Sequence, residues 1–367
     1  MNDLKFGMEG YPVTLLQYAL RRAGMDVGNL DGIFGRRTAR ALQRFQREQG
    51  LAADDIAGKL TWAALYPYIS GYTLHRIGSG DTFYGLAQRY GIPISSLITA
   101  NPDDNPAALS IGETLIVPLP LPVVTEEIPC SSLLAGLILK GMVMRYPFLR
   151  LYEIGRSVMG RPMWAVSAGK GPRQAGVVGP HRADEWSAAI GLLRFVETIA
   201  AALETGERWA KELRETLTLH LIPLVNPDGV DLVTGALDPM DSFYVQAQAM
   251  AAHYGSDPFP DGWQSNISGI DLSLQYPAGW KTTQRAMFAQ GITRPGPKGY
   301  VGSEPLIAPE VRAIAKWTRR RDFSTVLSYD EGYARWFADV WDRRAVIVKG
   351  SEEGILSHLG FGAALSP

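Results

Sequence analysis

The segment PLPLPVVTEEIP sets Pro118, Pro120, Pro122 and Pro129 within the first part of a 367-residue chain. Each proline fixes its own φ and lacks an amide donor, so neither a helix nor an interior strand runs through such a stretch. The chain must therefore fold as separate parts, and residues 119–130 are expected to be a stiff linker between them. Hydrophobic residues make up 46% and charged residues 20%, enough apolar surface for several packed cores. A formal net charge of −1 gives no overall attraction to nucleic acid or an anionic membrane. Cys130 is the only cysteine, which rules out an internal disulfide or a cysteine-rich zinc module and leaves a structural thiol. The first residues, MNDLKFGMEG, lack a basic region followed by an apolar run, so synthesis in the cytosol without a secretory leader is expected. No apolar stretch reads as long enough to cross a bilayer.

Residues 4–67 carry three short helical patterns punctuated by glycine turns. Leu15, Leu16, Ala19, Leu20 and Ala23 recur at helical spacing, and Ala41, Leu42, Phe45 and Gln46 repeat the pattern after GNLDGIFG. LTWAAL follows GK as a third helix. The expected fold is a small all-α bundle. Arg36, Arg40, Arg44 and Arg47 share one face of the second helix, either as a solvated surface or as guanidinium forks for carboxylates. The strings LDGIFGRRTARALQRFQREQGL and IAGKLTWAAL resemble the helical peptidoglycan-binding module along its whole length.

Residues 72–118 read as strand, helix, helix, strand: YTLHRI, GDTFYGLAQRYG, ISSLITAN and TLIVP. With LITANP and IGETLIVP in register, this βααβ unit resembles a LysM domain. The resemblance implies a shallow groove for glycan N-acetyl groups. Gly80, Asp81, Thr82, Phe83 and Tyr84 would form one side, and Asn105, Pro106, Ala107, Ala108 and Leu109 the other. Backbone amides beside a few apolar side chains suit an acetamide, which offers a donor, an acceptor and a methyl group. His75 is expected to be a half-exposed strand residue. Two wall modules on one chain also raise effective concentration on a polymer, so weak single-site affinity suffices.

From residue 131 to 367 strands and helices alternate. QAGVVGP, TLTLHLIPLV, STVLSY and AVIVKG read as strands, and Trp186, Ala189, Ile190, Leu193, Val196, Ile199 and Leu203 mark one face of a long helix. An α/β domain with a mixed sheet is expected. YEIGRSVMGRPMWAV, VVGPHRADEW, HLIPLVNPDGVDLV and SGIDLSLQYPAGW resemble zinc carboxypeptidases, in particular the bacterial branch that hydrolyses the γ-D-glutamyl-meso-diaminopimelate bond of peptidoglycan stems.

A hydrolytic zinc site needs imidazole and carboxylate ligands, an open position for water and a carboxylate base. The family supplies a histidine and a glutamate three apart before a tryptophan, then a second histidine at a later strand end. With Trp186 setting the register, Glu185 matches the carboxylate ligand while Arg182 falls on the imidazole position. Tyr329 falls on the second imidazole, and Lys349 on the general-base glutamate. Guanidinium has no lone pair to donate, a phenol with pKa near 10 is a poor ligand, and an ammonium cannot take a proton. A slipped site using His181 with Asp184 or Glu185 stays open. Gln264, Ser268 and Ser273 stand where the enzymes tend to carry basic or asparagine side chains. Asp228, Asp231 and Asp271 read as turn and strand-end caps, and His220, His253 and His358 as structural or exposed.

The expectation is thus a protein that binds peptidoglycan glycan strands and stem peptides at the cell wall or spore envelope. Its last domain is expected to be a shortened, degenerate zinc-carboxypeptidase fold, with no cofactor. The alternative is a working zinc endopeptidase. The break after Tyr329 and the unpatterned tail GILSHLGFGAALSP also admit a last domain that folds incompletely.

Overall fold

The computed structural model describes residues 3–255, 258–329, 345–347, 355 and 359. The chain divides into two compact units. One holds Met1–Ile128 and Leu137–Phe148, the other Pro129–Gly136 and Leu149–Pro367.

In the first unit, α1 (Tyr11–Arg22), α2 (Arg36–Glu48) and α3 (Lys59–Ser70) are the three expected helices. They bury the predicted faces: Leu15, Leu16 and Leu20 of α1, Leu42 and Phe45 of α2, and Trp62 and Leu65 of α3. The turns that start α2 and α3 are copies of one pattern, D-x-I-x-G-x-x-T, at residues 31–38 and 54–61. In each copy a buried glutamine amide, Gln17 or Gln46, donates to the aspartate, to the isoleucine carbonyl and to the threonine hydroxyl. The aspartate also accepts the isoleucine N–H. Gly32 and Asp55 take the left-handed position of each turn, with φ of 71° and 60°. At Gly32 a Cβ would lie 2.9 Å from Thr14 Oγ1, so glycine is required there.

Next come β1 (Tyr72–Arg76), α4 (Phe83–Tyr90), α5 (Ile94–Ala100) and β2 (Thr114–Pro118), the expected βααβ order. The strands pair antiparallel from Tyr72↔Pro118 to Arg76↔Thr114. Ile77, Phe83, Leu86, Leu97, Leu115 and Val117 form the core beneath the helices. The proline-rich stretch does not run free of this unit. Val123 and Val124 are buried. Arg22 donates to the carbonyl of Pro122 and Arg145 to that of Leu121, meeting acceptors that an extended segment leaves unpaired. The helix α6 (Ser132–Arg145) follows.

Among the described residues the second unit is built on a six-stranded sheet. Its strands are β3 (Arg150–Arg156), β4 (Pro162–Gly169), β5 (Arg173–Val178), β6 (Leu217–Ile222), β7 (Phe323–Ser328) and β8 (Ala345–Ile347), in the order β3-β4-β6-β5-β7-β8. β3, β4 and β6 run antiparallel, and β6, β5, β7 and β8 run parallel, which makes the sheet mixed as expected. The helices are α7 (Trp186–Thr205), α8 (Arg208–Thr216), α9 (Pro227–Val233), α10 (Ser242–Tyr254), α11 (Trp280–Ala289) and α12 (Pro309–Arg319).

The segment Ala183–Thr205 is, by length and composition, long and apolar enough to cross a membrane, which corrects the expectation that none is. Its apolar side chains, among them Leu192, Leu193, Phe195, Val196 and Ile199, are buried in the protein, the pattern of a core helix.

Candidate functional site

The parallel strands β5 and β7 end side by side, with Val178 opposite Ser328. Ligand sites of α/β sheets favour this edge, where chain leaves the sheet without pairing. Pro180 to Glu185 leave β5 here and enter α7 through a short 3-10 turn, Ala183–Glu185.

Arg182 folds back on the two acids that follow it. Its Nε and Nη2 donate to Asp184 Oδ1 and Oδ2 at 3.0 and 2.6 Å, a bidentate pair. Nε also lies 3.3 Å from Glu185 Oε1. The Glu185 side chain is only 4% exposed, so the guanidinium is its nearby compensating charge. His181 is buried, and its Nε2 shares a 2.7 Å hydrogen bond with the Tyr276 hydroxyl. The backbone carbonyl of His181 is held by Asn226 Nδ2, which also fixes the Ser265 carbonyl, while Asn226 Oδ1 caps α9.

Tyr329 follows β7 directly, its N–H bonded to the Val178 carbonyl. Its hydroxyl reaches α7 beside Gly191, where a Cβ would stand 3.4 Å away. Thus Arg182, Asp184 and Glu185 come together, while His181 is turned to Tyr276 and the Tyr329 hydroxyl lies along α7. Among the described residues no three His, Cys, Asp or Glu side chains gather as a metal-ligand set. Lys349 and His358 lie outside the described residues.

Most of the other positions singled out in the sequence make hydrogen bonds within the fold. Ser273 donates to Asp271 Oδ1 at 2.6 Å, and Asp271 Oδ2 takes the Gly299 N–H. Gln264 joins its neighbours through its backbone, and the Ser268 N–H is taken by Asn266. Asp228 and Asp231 do more than cap a turn. Both meet Arg161, at 2.8 Å each, and Asp231 also accepts from Ser132. Asp228 further accepts from the Ser157 hydroxyl and the Met159 N–H. Beside this network Glu310 accepts from Val158 N–H and Asn266, and burial pushes its carboxyl up to about 7. The sequence carried no signal for this network beyond the three-residue spacing of Asp228 and Asp231, because Arg161 lies 67 residues from Asp228. Cys130 is buried and its thiol is pushed up to about 12 by burial and by Asp231, so it keeps its proton at neutral pH. His253 sits in the last turn of α10 against Tyr254.

In the βααβ unit the predicted glycan positions divide into two kinds. Phe83 is 1% exposed and belongs to the core, so it cannot be a contact residue in this conformation. Asp81 is an internal clasp: its carboxylate takes His75 Nε2 at 2.8 Å, the Gly78 N–H at 2.8 Å and Arg89 at 3.3 Å. His75, whose other nitrogen meets the Tyr90 hydroxyl, is fastened rather than simply half-exposed. Thr82 caps α4 by accepting the Gly85 N–H. Gly80, Thr82, Tyr84, Asn105, Pro106, Ala107 and Ala108 are exposed, while Leu109 packs on the core.

Along α2, Arg44 is paired with Glu48 at 2.7 Å and Arg47 donates to Gln43. Arg36 lines a hollow of about 310 Å³ with Asn29, Asp31 and Ile33.

The helical bundle, the βααβ unit and the mixed-sheet α/β unit define a multidomain chain, and each of the three parts matches a known family. The zinc carboxypeptidase family matches residues 138–352, and the chain belongs to it. A putative peptidoglycan-binding domain matches residues 9–65 and a LysM domain residues 75–118. The chain is 34% identical to gamma-D-glutamyl-L-diamino acid endopeptidase 1 of Lysinibacillus sphaericus, over 52% of this chain and 48% of that protein. It is 30% identical to an uncharacterised protein of Bacillus subtilis, over 48% of this chain and 46% of that one. The chain thus spans about half the length of these curated relatives. Among solved structures it is similar to thrombin-activatable fibrinolysis inhibitor, with a TM-score of 0.42 and 19% identity over 55% of this chain and 47% of that one.

Proposed function

We propose that the protein docks on peptidoglycan through its helical and LysM modules and that its carboxypeptidase unit holds stem peptides without cutting them. The observation that carries this reading is the pairing of Arg182 with Asp184 and Glu185. Zinc is the group the family implies, and the residues at this edge do not suit it. In the family register an imidazole should stand at Arg182, where a permanent cation without a lone pair repels a dication. Tyr329, at the second imidazole position, presents a phenol. Lys349 would place an acid where a base is required. Glu185 alone is too few ligands for a centre of three protein groups and a water.

The glycan contact is assigned to the exposed members of the LysM loops, Gly80, Thr82, Tyr84, Asn105, Pro106, Ala107 and Ala108. The place of action is the cell wall or spore envelope. Support comes from the two modules and from the name of the Lysinibacillus relative.

A second reading, a zinc endopeptidase acting on the γ-D-glutamyl-meso-diaminopimelate bond, draws on that same relative and on the burial of His181 and Glu185 on either side of Arg182. Elemental analysis of the purified protein beside a stem-peptide cleavage assay with added zinc separates the two. Absence of stoichiometric zinc and of turnover is expected. One equivalent of bound zinc, with turnover lost in Glu185→Ala, overturns the first reading in favour of the second.

A further inference from the structure

Gly71 is the whole connection between the helical module and the βααβ unit, since α3 ends at Ser70 and β1 starts at Tyr72. A single glycine, the residue with the widest choice of φ and ψ, would by itself let the two modules swivel. Its surroundings remove that freedom. The ladder of β1 and β2 runs one step past Tyr72↔Pro118, with the Leu119 N–H donating to the Gly71 carbonyl at 2.8 Å. Gly71 holds φ at 78°, and a Cβ there would lie 2.8 Å from Val123 Cγ2, so the stretch that leaves β2 packs directly on the joint. Tyr66 of α3 and Tyr72 of β1 meet edge to face, their ring centres 6.1 Å apart. Gly141 of α6 abuts the end of α3, where a Cβ would collide with the Ser70 carbonyl.

The stretch after β2 is then fastened to the helical module. Arg22, in the last turn of α1, is the hub. Its guanidinium lies over the Tyr18 ring, 5.3 Å from the centre. It donates to the Tyr68 carbonyl, one of the acceptors that the end of α3 leaves unpaired, and to the Pro122 carbonyl. Arg145 holds the Leu121 carbonyl at 2.7 Å, and Arg21 meets Glu127 at 3.0 Å. Between these anchors Val123 and Val124 are 0% and 4% exposed. The βααβ unit is therefore tied to the helical module at both its ends, by Gly71 where the chain enters and by residues 119–128 where it leaves.

We propose that the two wall modules and this strap form one rigid docking body, which keeps their binding surfaces at a fixed spacing and grips a single peptidoglycan strand at two places at once. The proposal rests on the docking reading above. A polymer of regular repeat rewards a fixed spacing, because the second contact forms without the ordering cost of a flexible tether.

The test uses the full chain, first without ligand. Cys130 is buried, so spin labels on Gln49→Cys and Ser95→Cys, exposed positions in the two modules, report their separation by pulsed electron resonance. One narrow distance is expected. It should broaden in Arg22→Ala with Arg145→Ala, and in a variant with a Gly-Ser insertion of about six residues after Gly71, which leaves both module cores untouched. Unlabelled proteins are then titrated by calorimetry with soluble peptidoglycan strands and with an N-acetylglucosamine tetramer, a ligand for the LysM loops alone. Either joint variant should lose about tenfold or more in affinity for the strands and less than about twofold for the tetramer. A broad distance in the parent, or strand affinity unchanged by the insertion, overturns this inference and leaves the docking reading standing. A parent that binds no strands overturns both.

Discussion

Gln46 makes in its turn the same three bonds that Gln17 makes in the turn before it, with one exception. Gln17 Oε1 accepts the Gly32 N–H at 3.0 Å, whereas the buried Gln46 Oε1 has no partner. Removing either amide takes a donor from the aspartate, the threonine hydroxyl and the isoleucine carbonyl, leaving the last two only their 3.3 Å bond to each other, and removing Gln17 also strands a backbone N–H. Gln17→Ala should therefore destabilise the helical module by about 2–3 kcal/mol, and Gln46→Ala by about 1 kcal/mol less. Hydrogen exchange of α1–α3 in the full chain under urea measures both, and equal losses would refute the difference.

Arg182→Ala leaves the carboxylates of Asp184 and Glu185 together without their cation, Glu185 being nearly inaccessible to water. Loss of about 2–3 kcal/mol from the second unit is expected, because breaking a buried pair uncovers the desolvation of the remaining charge. Arg182→Lys should recover only part of it, since an ammonium cannot make the fork to Asp184. Thermal unfolding reads the order of the three proteins, and an alanine variant as stable as the parent would contradict it.

Glu310 gives the second unit a pH dependence. Burial raises its folded carboxyl to about 7, above the unfolded value, so between the two the folded state binds more protons than the unfolded one. Stability from this group is highest below about pH 4 and falls as pH rises toward about 7, by an amount on the order of 3 kcal/mol. Asp231, also raised by burial, acts in the same direction. Denaturant midpoints between pH 5 and 8 should decline in the parent and decline less in Glu310→Gln. A flat profile in the parent would count against the assignment.

Tyr84 and Phe83 are neighbours with opposite expectations. Phe83 lies in the core and Tyr84 is 64% exposed with its hydroxyl accepting from Gln88. Tyr84→Ala should weaken binding to N-acetylglucosamine oligomers by about tenfold at unchanged melting temperature, and Phe83→Ala should cost about 3 kcal/mol of LysM stability. Calorimetry beside melting curves checks both, and undiminished glycan affinity in Tyr84→Ala would remove that side chain from the groove.

The elements were legible where a pattern is local. Periodic leucines marked α1 and α2, and the order of YTLHRI, GDTFYGLAQRYG and TLIVP marked the βααβ unit. What escaped depends on pairing across distance. Asp81 looked like a loop residue facing glycan because nothing in its neighbourhood announces that His75 and Arg89 converge on it from two other elements. Phe83 follows the capping Thr82, and whether that first helical position faces in or out is decided by packing against Leu115 and Val117. Arg161 and Asp228 are 67 residues apart, so only the folded sheet could show them as one network. Arg182 is the opposite case: its partners lie two and three residues on, within the same short string that singled it out.

The duplicated turn also bears on the order in which the chain matures. Its side-chain bonds span at most 21 residues, whereas the second unit joins Gln174 to Ser324 across 150 and Val158 to Glu310 across 152. Short-range contacts close early and long-range sheets late, and synthesis proceeds from the N-terminus. The helical module therefore completes its network while the ribosome is still making the sheet. A nascent chain arrested before β7 would already carry a finished module beside an unpaired β5 edge, and it is that edge, rather than the small modules, that chaperones would have to shield.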